Sequence, residues 1–552
     1  MRIPGLNRRA FLRTAGAAPI APALAAPAPA VDRPGNLPVP GEPYDLAGKR
    51  MAFLNWYYVR TGSFSWRDRS GKKVGLTDSV PPGDARFQPS DQPRGIRLSA
   101  RPAHRTGPIL TADRPWEEGS VTITTIIKDG GMYRGWGGPF TTSGDPPGQK
   151  HYMYFESNDG YHWTRPDLGL VEESGKRANN IVNIFDTDGG SIFLDPSAPP
   201  AERYKLIAEG MFPPKAIGSY LRRRPGVWDP RSARRPDGSA KGVKGAVSAD
   251  GIHWTMLPEP LAVEVTDTQL TACYDARLRK YVAYTRTWMA GPRSSRAQQT
   301  SGKSALGGRR SIGRSESANF RDLPLAETIL EPGPELLPTD LLYTNGKTTF
   351  PGAPDHHILF PTIWHTSSDS TSVAMASSHD SRLWHFLPGS PVFTTGSFAQ
   401  FDGGCIFAHP NLFELPNGDF ALPYTGYNVP HKYPRRLWTY ALGYAIWPKG
   451  RIVALEASER GEFGTVEFMP PGRKVRINAL THRAGGIRVE VVGPGNKPIG
   501  GRSFAESNPI IGDHHSTLLS WGEAEDLGNP ENSPIFLRFR MDQAQIFSLE
   551  FV

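Results

Sequence analysis

A short motif occurs twice in this chain and returns in weaker form at regular intervals. Ser157–Trp163 reads S-N-D-G-Y-H-W and Ser248–Trp254 reads S-A-D-G-I-H-W. Weaker copies begin at Ser315, Ser378 and Gly443, so the successive starts lie 91, 67, 63 and 65 residues apart. A period of about 65 residues built from short strands is typical of a β-propeller with one blade per repeat. The repeat therefore predicts an all-β chain with five blades.

The motif has the composition of a tight turn. Ser and Asp side chains accept hydrogen bonds from nearby backbone N–H groups, and Gly permits a positive φ. The Trp supplies a large ring that can be buried between neighbouring sheets. We therefore expect Asp159 and Asp250 to shape the outer turns of the blades and not to act as catalysts.

Composition divides the chain into four parts. Residues 1–30 carry Arg8 and Arg9 in a twin-arginine pattern, followed by a mildly apolar run and small-residue cleavage sites. This order predicts a signal peptide and export by the twin-arginine route to the periplasm or the cell exterior. Residues 31–104 are predicted to form an N-terminal extension in which Lys49–Val59 closes the ring. Residues 105–463 would form the five-bladed propeller and residues 464–552 a small β-sandwich.

Several classes of protein are disfavoured by charge and motif content. The formal net charge is +9 over 552 residues, so no nucleic-acid partner is expected. After residue 30 no stretch is long and apolar enough to span a membrane. His356–His357 and His514–His515 have no third ligand at metal spacing, and no nucleotide-binding or G-x-S-x-G motif is present. We expect no metal, no cofactor and a carbohydrate partner, and the oligomeric state stays open.

Acidic residues precede the first predicted strand of each blade, where a propeller binds ligands near its axis. Glycoside cleavage requires two carboxyl groups, one as acid and one as base or nucleophile, and like charges close together raise one pKa. The alternative is that these acids cap turns at the starts of strands. The candidate catalytic residues are Glu117, Asp186, Asp267, Asp340 and Asp402.

The fifth blade contains a dense polar and aromatic segment, residues 422–436. Tyr rings stack on sugar faces, and His and Arg side chains can hold hydroxyl or carboxylate groups. The alternative is a long loop packed by its own prolines. Arg286, after a strand of the third blade, is a similar candidate. The predicted substrate-binding residues are Arg286, Tyr424, Tyr427, His431 and Arg435.

The chain resembles the five-bladed glycoside hydrolases of families 32, 43, 62 and 68. The resemblance rests on the S-x-D-G-x-x-W turns, on Asp195-Pro196 ahead of Glu202-Arg203-Tyr204-Lys205, and on the predicted final sandwich. In that group three acids from the first three blades act as nucleophile or base, transition-state stabiliser and acid. By position, the resemblance implies these roles for Glu117, Asp186 and Asp267. The N-D-P-N, R-D-P and E-C motifs of family 32 are not found at the matching places.

Two hypotheses from different classes follow. The first is an exported glycoside hydrolase that cleaves a poly- or oligosaccharide. The second is a non-catalytic, carbohydrate-binding propeller. A polysaccharide lyase or glycoside phosphorylase on the same scaffold is a third possibility.

Overall fold

Antiparallel strands are the main regular structure of the described chain. The computed structural model describes residues 43–61, 66–67, 73–74, 92–138, 152–185, 187–224, 235–264, 266, 269–289, 309–494 and 496–552. Among these residues the α-helix is Pro214–Arg223. No helix in this part of the chain has the length and apolarity needed to cross a bilayer. Single 3-10 turns occupy Trp56–Tyr58, Pro115–Glu117, Pro200–Glu202, Arg435–Leu437 and Pro448–Gly450.

The first three blades are four-stranded antiparallel sheets in which sequence order is spatial order. Blade one consists of Ile123–Asp129, Met132–Gly137, Tyr152–Ser157 and Ile181–Val182. Blade two consists of Asp188–Leu194, Tyr204–Phe212, Ala240–Ser248 and Trp254–Met256. Blade three consists of Thr271–Asp275, Lys280–Met289, Arg309–Ser317 and Glu327–Leu330.

The fourth blade is divided along its length into two four-stranded sheets. One sheet contains Asp340–Leu342, Thr362–His365, Ser370–Val373 and Phe393–Thr394. The other contains Thr348–Phe350, Ala353–Leu359, Ala376–Ser378 and His385–Phe386. Pro361 separates the two halves of the second strand, consistent with its inability to donate a ladder hydrogen bond.

The fifth blade is completed by a strand from the N-terminal side of the propeller. Its own strands are Cys405–Ala408, Phe420–Tyr427 and Tyr440–Trp447, with Phe413–Glu414 as a short addition. The outer position is taken by His104–Arg105, which pairs with Ile446 and Ala445. Five blades closed by this strand confirm the predicted all-β, five-bladed fold.

Lys49–Val59 does not close the ring. Within this segment Arg50–Met51 is a strand, and it pairs with Glu550 and Leu549 of the C-terminal sheet. Residues 52–54 follow and are all buried. A strand at the edge of a sheet would bury only alternate side chains, so this stretch lies inside a core. Asn55 Oδ1 then accepts the N–H of Tyr57 at 2.9 Å and starts the 3-10 turn.

The motif forms the turn between the third and fourth strands. In the second copy, Gly251 N–H donates to Ser248 Oγ at 2.9 Å, and the N–H groups of Ile252 and His253 each donate to Asp250 Oδ1 at 2.8 Å. Gly251 has a φ of +80°. Its carbonyl accepts Trp136 Nε1 of blade one at 2.7 Å, so the turn also links neighbouring blades. The structural role predicted for the motif is visible in these bonds.

The C-terminal part of the chain forms a seven-stranded sheet. Its strands are Arg50–Met51, Arg97–Ala100, Val453–Gly464, Val475–Gly493, Lys497–Pro498, Asp513–Leu518 and Phe536–Phe551. After the propeller the chain enters this sheet at Val453, before the predicted boundary at residue 464, and two strands from before the propeller also belong to it. The three longest strands carry register shifts, which bend β-strands, and both halves of each contribute to one core. Two-stranded pairs join Tyr44–Asp45 to Phe468–Met469 and Trp66–Arg67 to Lys73–Val74.

Candidate functional site

The end of the propeller where each first strand begins is called the upper end here. Antiparallel order places the connection between the second and third strands at this end of every blade, because the second strand returns to it. In the first, second, third and fifth blades this connection is long, spanning residues 138–151, 213–239, 290–308 and 428–439. The motif turns, between the third and fourth strands, lie at the opposite end.

In blade three the second strand extends past the first at the upper end. The first strand begins at Thr271, which pairs with Tyr284. Residues 285–289 continue beyond this pair, and residues 309–313 of the third strand run alongside them. Arg286 and Trp288 alternate with Thr285 and Thr287, so they point to the same face of this extension.

Aromatic and basic side chains of blades three, four and five converge at the upper end. Arg310 lies 3.9 Å from the ring centroid of Tyr343, and Arg286 lies 5.0 Å from that of Trp288. His431 Nε2 and Tyr343 Oη are 2.8 Å apart. These distances lie within the range of cation–π attraction and of hydrogen bonding. The aromatic–basic cluster consists of Arg286, Trp288, Arg310, Tyr343, Trp364, Phe407, Tyr427, His431, Lys432 and Trp438.

Three predicted binding residues belong to this cluster. Tyr427 packs against Trp438 with ring centroids 5.0 Å apart, and His431 stands edge-on to Trp364 at 5.3 Å. The structure thus brings Arg286, Tyr427 and His431 together from two blades. The backbone of Arg435 is described, in the 3-10 turn Arg435–Leu437, but its side chain lies outside the description.

Tyr424 is not part of the cluster. Its side chain is fully buried, and its hydroxyl donates to Asp402 Oδ2 at 2.8 Å. The same oxygen lies 2.5 Å from Arg105 Nη1, on the strand that closes the ring. Asp402 is 1% exposed, so this carboxylate and Tyr424 serve the closure of the ring.

Glu117 also has structural partners. Its Oε2 accepts the backbone N–H groups of Asp113 and Arg114 at 2.8 and 3.1 Å, and its Oε1 lies 2.5 Å from Arg165 Nε. The side chain is fully buried. These contacts belong to the 3-10 turn Pro115–Glu117 and to the outer part of blade one, as the bond from neighbouring Trp116 to Asn180 shows.

Asp340 lies at the upper rim of blade four. Its Oδ2 accepts the N–H of Leu337 at 3.1 Å, and its Oδ1 lies 2.9 Å from Nδ1 of His365. Asp186 and Asp267 lie outside the described residues. Thr187 and Thr266, their described neighbours, are both buried at the upper end of blades two and three.

Two further carboxylates at the upper end were missed by the sequence analysis. Glu209 pairs in register with Asp188, is 2% exposed and contacts Lys241 Nζ. Its Oε2 accepts the N–H of Thr266 at 2.8 Å. Glu209 therefore lies against Thr266, on the segment that leads into blade three.

Glu264 lies two residues earlier on the same segment. Its Oε2 accepts Thr285 Oγ1 at 3.2 Å, and its Oε1 accepts the N–H of Ala326. Burial raises the pKa of Glu264 to about 7, against the lowering effect of these two hydrogen bonds. Since Thr285 and Arg286 are consecutive, Glu264 and the aromatic–basic cluster lie on opposite faces of the extension of blade three.

A signal for both residues exists in the sequence. Glu209 interrupts the apolar strand Tyr204–Phe212, and Glu264 interrupts the apolar run from Leu261 to Val265. An acid inside a buried run is costly unless it is paired or protonated, so its presence points to a special role. Neither residue stands immediately before the first strand of a blade.

The upper end thus holds two buried carboxyl groups, Glu209 and Glu264, and, on the opposite face of the blade-three extension from Glu264, the aromatic–basic cluster. Groups of three or more His, Cys, Asp or Glu arranged to hold a metal do not occur among the described residues.

No family model and no curated protein sequence matches this chain. Solved structures similar to it include an N-acetylgalactosamine deacetylase from F. plautii in complex with blood group B trisaccharide, which is 12% identical. That match has a TM-score of 0.38 and covers 63% of this chain and 95% of the other.

Two glycoside hydrolases are similar at comparable distance. A family 32 β-fructofuranosidase from Bombyx mori is 10% identical, with a TM-score of 0.34 and coverage of 84% of this chain and 94% of the other. A family 43 arabinoxylan arabinofuranohydrolase from Bacillus subtilis is 9% identical, with a TM-score of 0.34 and coverage of 81% and 99%. At such values the likeness assigns no activity. By its own strand pairings the chain is a five-bladed β-propeller protein with a C-terminal β-sheet, and glycoside hydrolases are among the solved structures similar to it.

Proposed function

We propose that the protein is a glycoside hydrolase that binds its saccharide at the upper end of the propeller. The observation that carries the proposal is Glu264, a carboxyl group whose pKa is raised to about 7 by burial and which lies at the same end as the aromatic–basic cluster. A carboxylic acid that keeps its proton near neutral pH can protonate the leaving oxygen of a glycosidic bond.

A second carboxylate is required as base or nucleophile. Asp267 lies three residues from Glu264, and Glu209 contacts the residue between them, Thr266. We propose that Asp267, Asp186 or Glu209 supplies this group, since in the sequence Asp186 precedes the first strand of blade two and Asp267 that of blade three, and Glu209 contacts Thr266. Because Glu264 and the cluster lie on opposite faces of the blade-three extension, the saccharide would have to cross its upper edge. Rings of the cluster, such as Trp438 and Tyr343, would then stack on sugar units away from the cleaved bond, and Arg286 and His431 would hold their polar groups.

The experiment is a turnover and binding assay on a panel of poly- and oligosaccharides. Glu264→Gln and Asp267→Asn should lose at least 100-fold in kcat, since general acid–base groups contribute factors of roughly 10²–10⁴. Binding of the same saccharide, measured calorimetrically, should remain. Glu327→Gln is the matched control, because this exposed acid lies on the outer strand of blade three. Full turnover in both variants would contradict the proposal.

A non-catalytic carbohydrate-binding propeller is the second candidate function. It is favoured by the structural engagement of Glu117 and Asp402, which leaves fewer acids for chemistry than predicted. In that case saccharides would bind to the upper end without turnover in the unmodified protein. Double bonds in the product would instead identify a lyase, and dependence on phosphate would identify a phosphorylase.

Export by the twin-arginine route is part of the proposal. It rests on Arg8 and Arg9 and on the small-residue sites that follow them. Replacing both arginines with lysine should retain the folded protein in the cytoplasm, as measured by cell fractionation. Unchanged export of that variant would contradict this route.

A further inference from the structure

Three polar side chains cross one face of blade four in a hydrogen-bonded chain. Asp340 Oδ1 lies 2.9 Å from His365 Nδ1, and His365 Nε2 lies 2.9 Å from Ser372 Oγ. The proposed glycosidase site uses none of these contacts. Their order, carboxylate to imidazole to hydroxyl, is that of an activated serine nucleophile.

Strand register builds this arrangement. Asp340 pairs with His365, and Ser370 pairs with His365 from the other side. Ser372 lies two residues beyond Ser370 and therefore on the same face as the imidazole. Adjacent strands carry all three groups, so the geometry comes from the sheet and not from a loop.

The carboxylate is held in place by the turn before it. Leu337 N–H donates to Asp340 Oδ2 at 3.1 Å, while the N–H of Asp340 donates to the carbonyl of Leu337 at 2.9 Å. Arg309 Nε also donates to the carbonyl of Asp340 at 3.1 Å. An oriented carboxylate accepts the Nδ1–H of His365, which leaves Nε2 to accept the proton of Ser372.

Of the three groups, the imidazole in the middle is the one that reaches solvent, because Asp340 is only 3% exposed. The side chain of His365 is 28% exposed, whereas Ser372 is 5% exposed. Ser372 pairs with Thr394 on the outer strand, and Thr394 is exposed. The Ser372 hydroxyl is thus separated from solvent by the outer strand. We therefore expect it to react with a small acyl group more readily than with a bulky one.

We propose that Ser372, His365 and Asp340 hydrolyse short-chain acyl esters. Ser372 Oγ forms a bond to the ester carbonyl carbon, and its proton passes to His365 Nε2. The carbon–oxygen bond to the alcohol breaks, and His365 returns the proton to the leaving alkoxide. Water then attacks the acyl-serine, again through His365, so that ester and water become acid and alcohol. Asp340 acts as the positioning residue for the imidazole.

The test uses the full-length protein, p-nitrophenyl acetate and a fluorophosphonate probe. We expect ester hydrolysis and covalent labelling of the peptide that contains Ser372, located by mass spectrometry. Ser372→Ala should abolish labelling, and His365→Gln should reduce hydrolysis at least 100-fold. Ser370→Ala is the matched control, because the Ser370 hydroxyl bonds to Ser368 Oγ at 2.8 Å.

A further variant separates loss of function from loss of folding. Ser372→Cys keeps the side-chain volume nearly constant and should be alkylated by iodoacetamide faster than free cysteine when His365 is present. His365→Gln in that background should remove the acceleration. Absence of labelling in the folded unmodified protein, or labelling that persists in Ser372→Ala, would overturn the proposal and leave these residues as a structural network.

Discussion

Arg105 Nη1 lies 2.5 Å from Asp402 Oδ2, and this contact ties the strand that closes the ring to the start of the fifth blade. Asp402 is 1% exposed, while the side chain of Arg105 is 27% exposed. Loss of one partner of a buried ion pair leaves the other uncompensated. We expect Asp402→Asn to lower the free energy of unfolding by roughly 2–4 kcal/mol, as measured by urea denaturation.

An exposed ion pair provides the control for this prediction. Arg97 lies 2.6 Å from Glu456, but its side chain is 69% exposed. Arg97→Ala should change stability by less than about 1 kcal/mol. Equal effects of the two substitutions would show that Asp402 is not the closing contact described above.

The motif turn in blade two should contribute to stability and not to saccharide binding. Asp250→Ala removes the acceptor of two backbone N–H groups and should destabilise the protein by about 1 kcal/mol. Binding at the upper end should be unchanged, because the turn lies at the opposite end of the blade. Thermal unfolding and calorimetry measure the two quantities, and Asp167→Ala at an exposed position is the control. A variant that loses binding while keeping its thermal midpoint would refute a structural role.

Glu316 should make the protein sensitive to acid. Partial burial by itself raises the pKa of Glu316. Contacts with Lys280, Arg314 and Arg382 outweigh this effect and hold the pKa at about 2. The unfolded value is about 4.3. The stabilisation is therefore complete above pH ~4.3 and is lost as the pH falls towards 2. Glu316→Gln should be less stable at pH 7, and its difference from the unmodified protein should shrink at pH 2; a constant difference would exclude this linkage.

Glu264 should affect the pH dependence of stability in the opposite sense to Glu316. Its folded pKa of about 7 lies above the unfolded value of about 4.3, so the folded state keeps a proton that the unfolded state releases between these values. The contribution of Glu264 to stability therefore falls as the pH rises through this window. Glu264→Gln should flatten the pH dependence of unfolding between pH 4.5 and 7. An unaltered slope would mean that Glu264 is ionised at neutral pH in the folded protein.

Trp438 should contribute to saccharide binding. It packs on Tyr427 at 5.0 Å in the aromatic–basic cluster and donates Nε1–H to the carbonyl of Tyr433. Trp438→Ala should weaken binding of the saccharide about tenfold, corresponding to ~1.4 kcal/mol. Trp521→Phe is the control, because this buried ring donates to the carbonyl of Val489 in the C-terminal sheet and is not part of the aromatic–basic cluster. Unchanged affinity in Trp438→Ala would exclude this ring from the binding surface.

The repeat spacing was sufficient to predict five blades because each motif turn is a local structure. Serine, aspartate and glycine at fixed offsets hold the turn through bonds within five residues, as at Ser248 and Asp250. The same local reasoning failed at Lys49–Val59. Strand character was visible there, but the choice between blade five and the C-terminal sheet depends on packing of residues hundreds of positions apart.

The place of a side chain in the fold could be predicted where it depends on the local strand and loop, but not where it depends on a distant partner. Tyr427 lies in the expected strand and His431 in the expected loop, and both belong to the aromatic–basic cluster that also contains Arg286 of blade three. Their role in binding stays a prediction. Asp402 matched the position of a funnel acid equally well, yet Arg105, which precedes it by almost 300 residues, engages its carboxylate. Sequence spacing carries no information about such a partner.

Local chemistry in the sequence thus determined the class of fold, the number of blades and the turns that separate their outer strands. Tertiary structure decided which strand closes the ring, which acids are held by arginine and which carboxyl group is buried enough to keep its proton. The physical reason is that turns depend on hydrogen bonds between near neighbours, whereas desolvation and ion pairing depend on every residue that surrounds a side chain after folding.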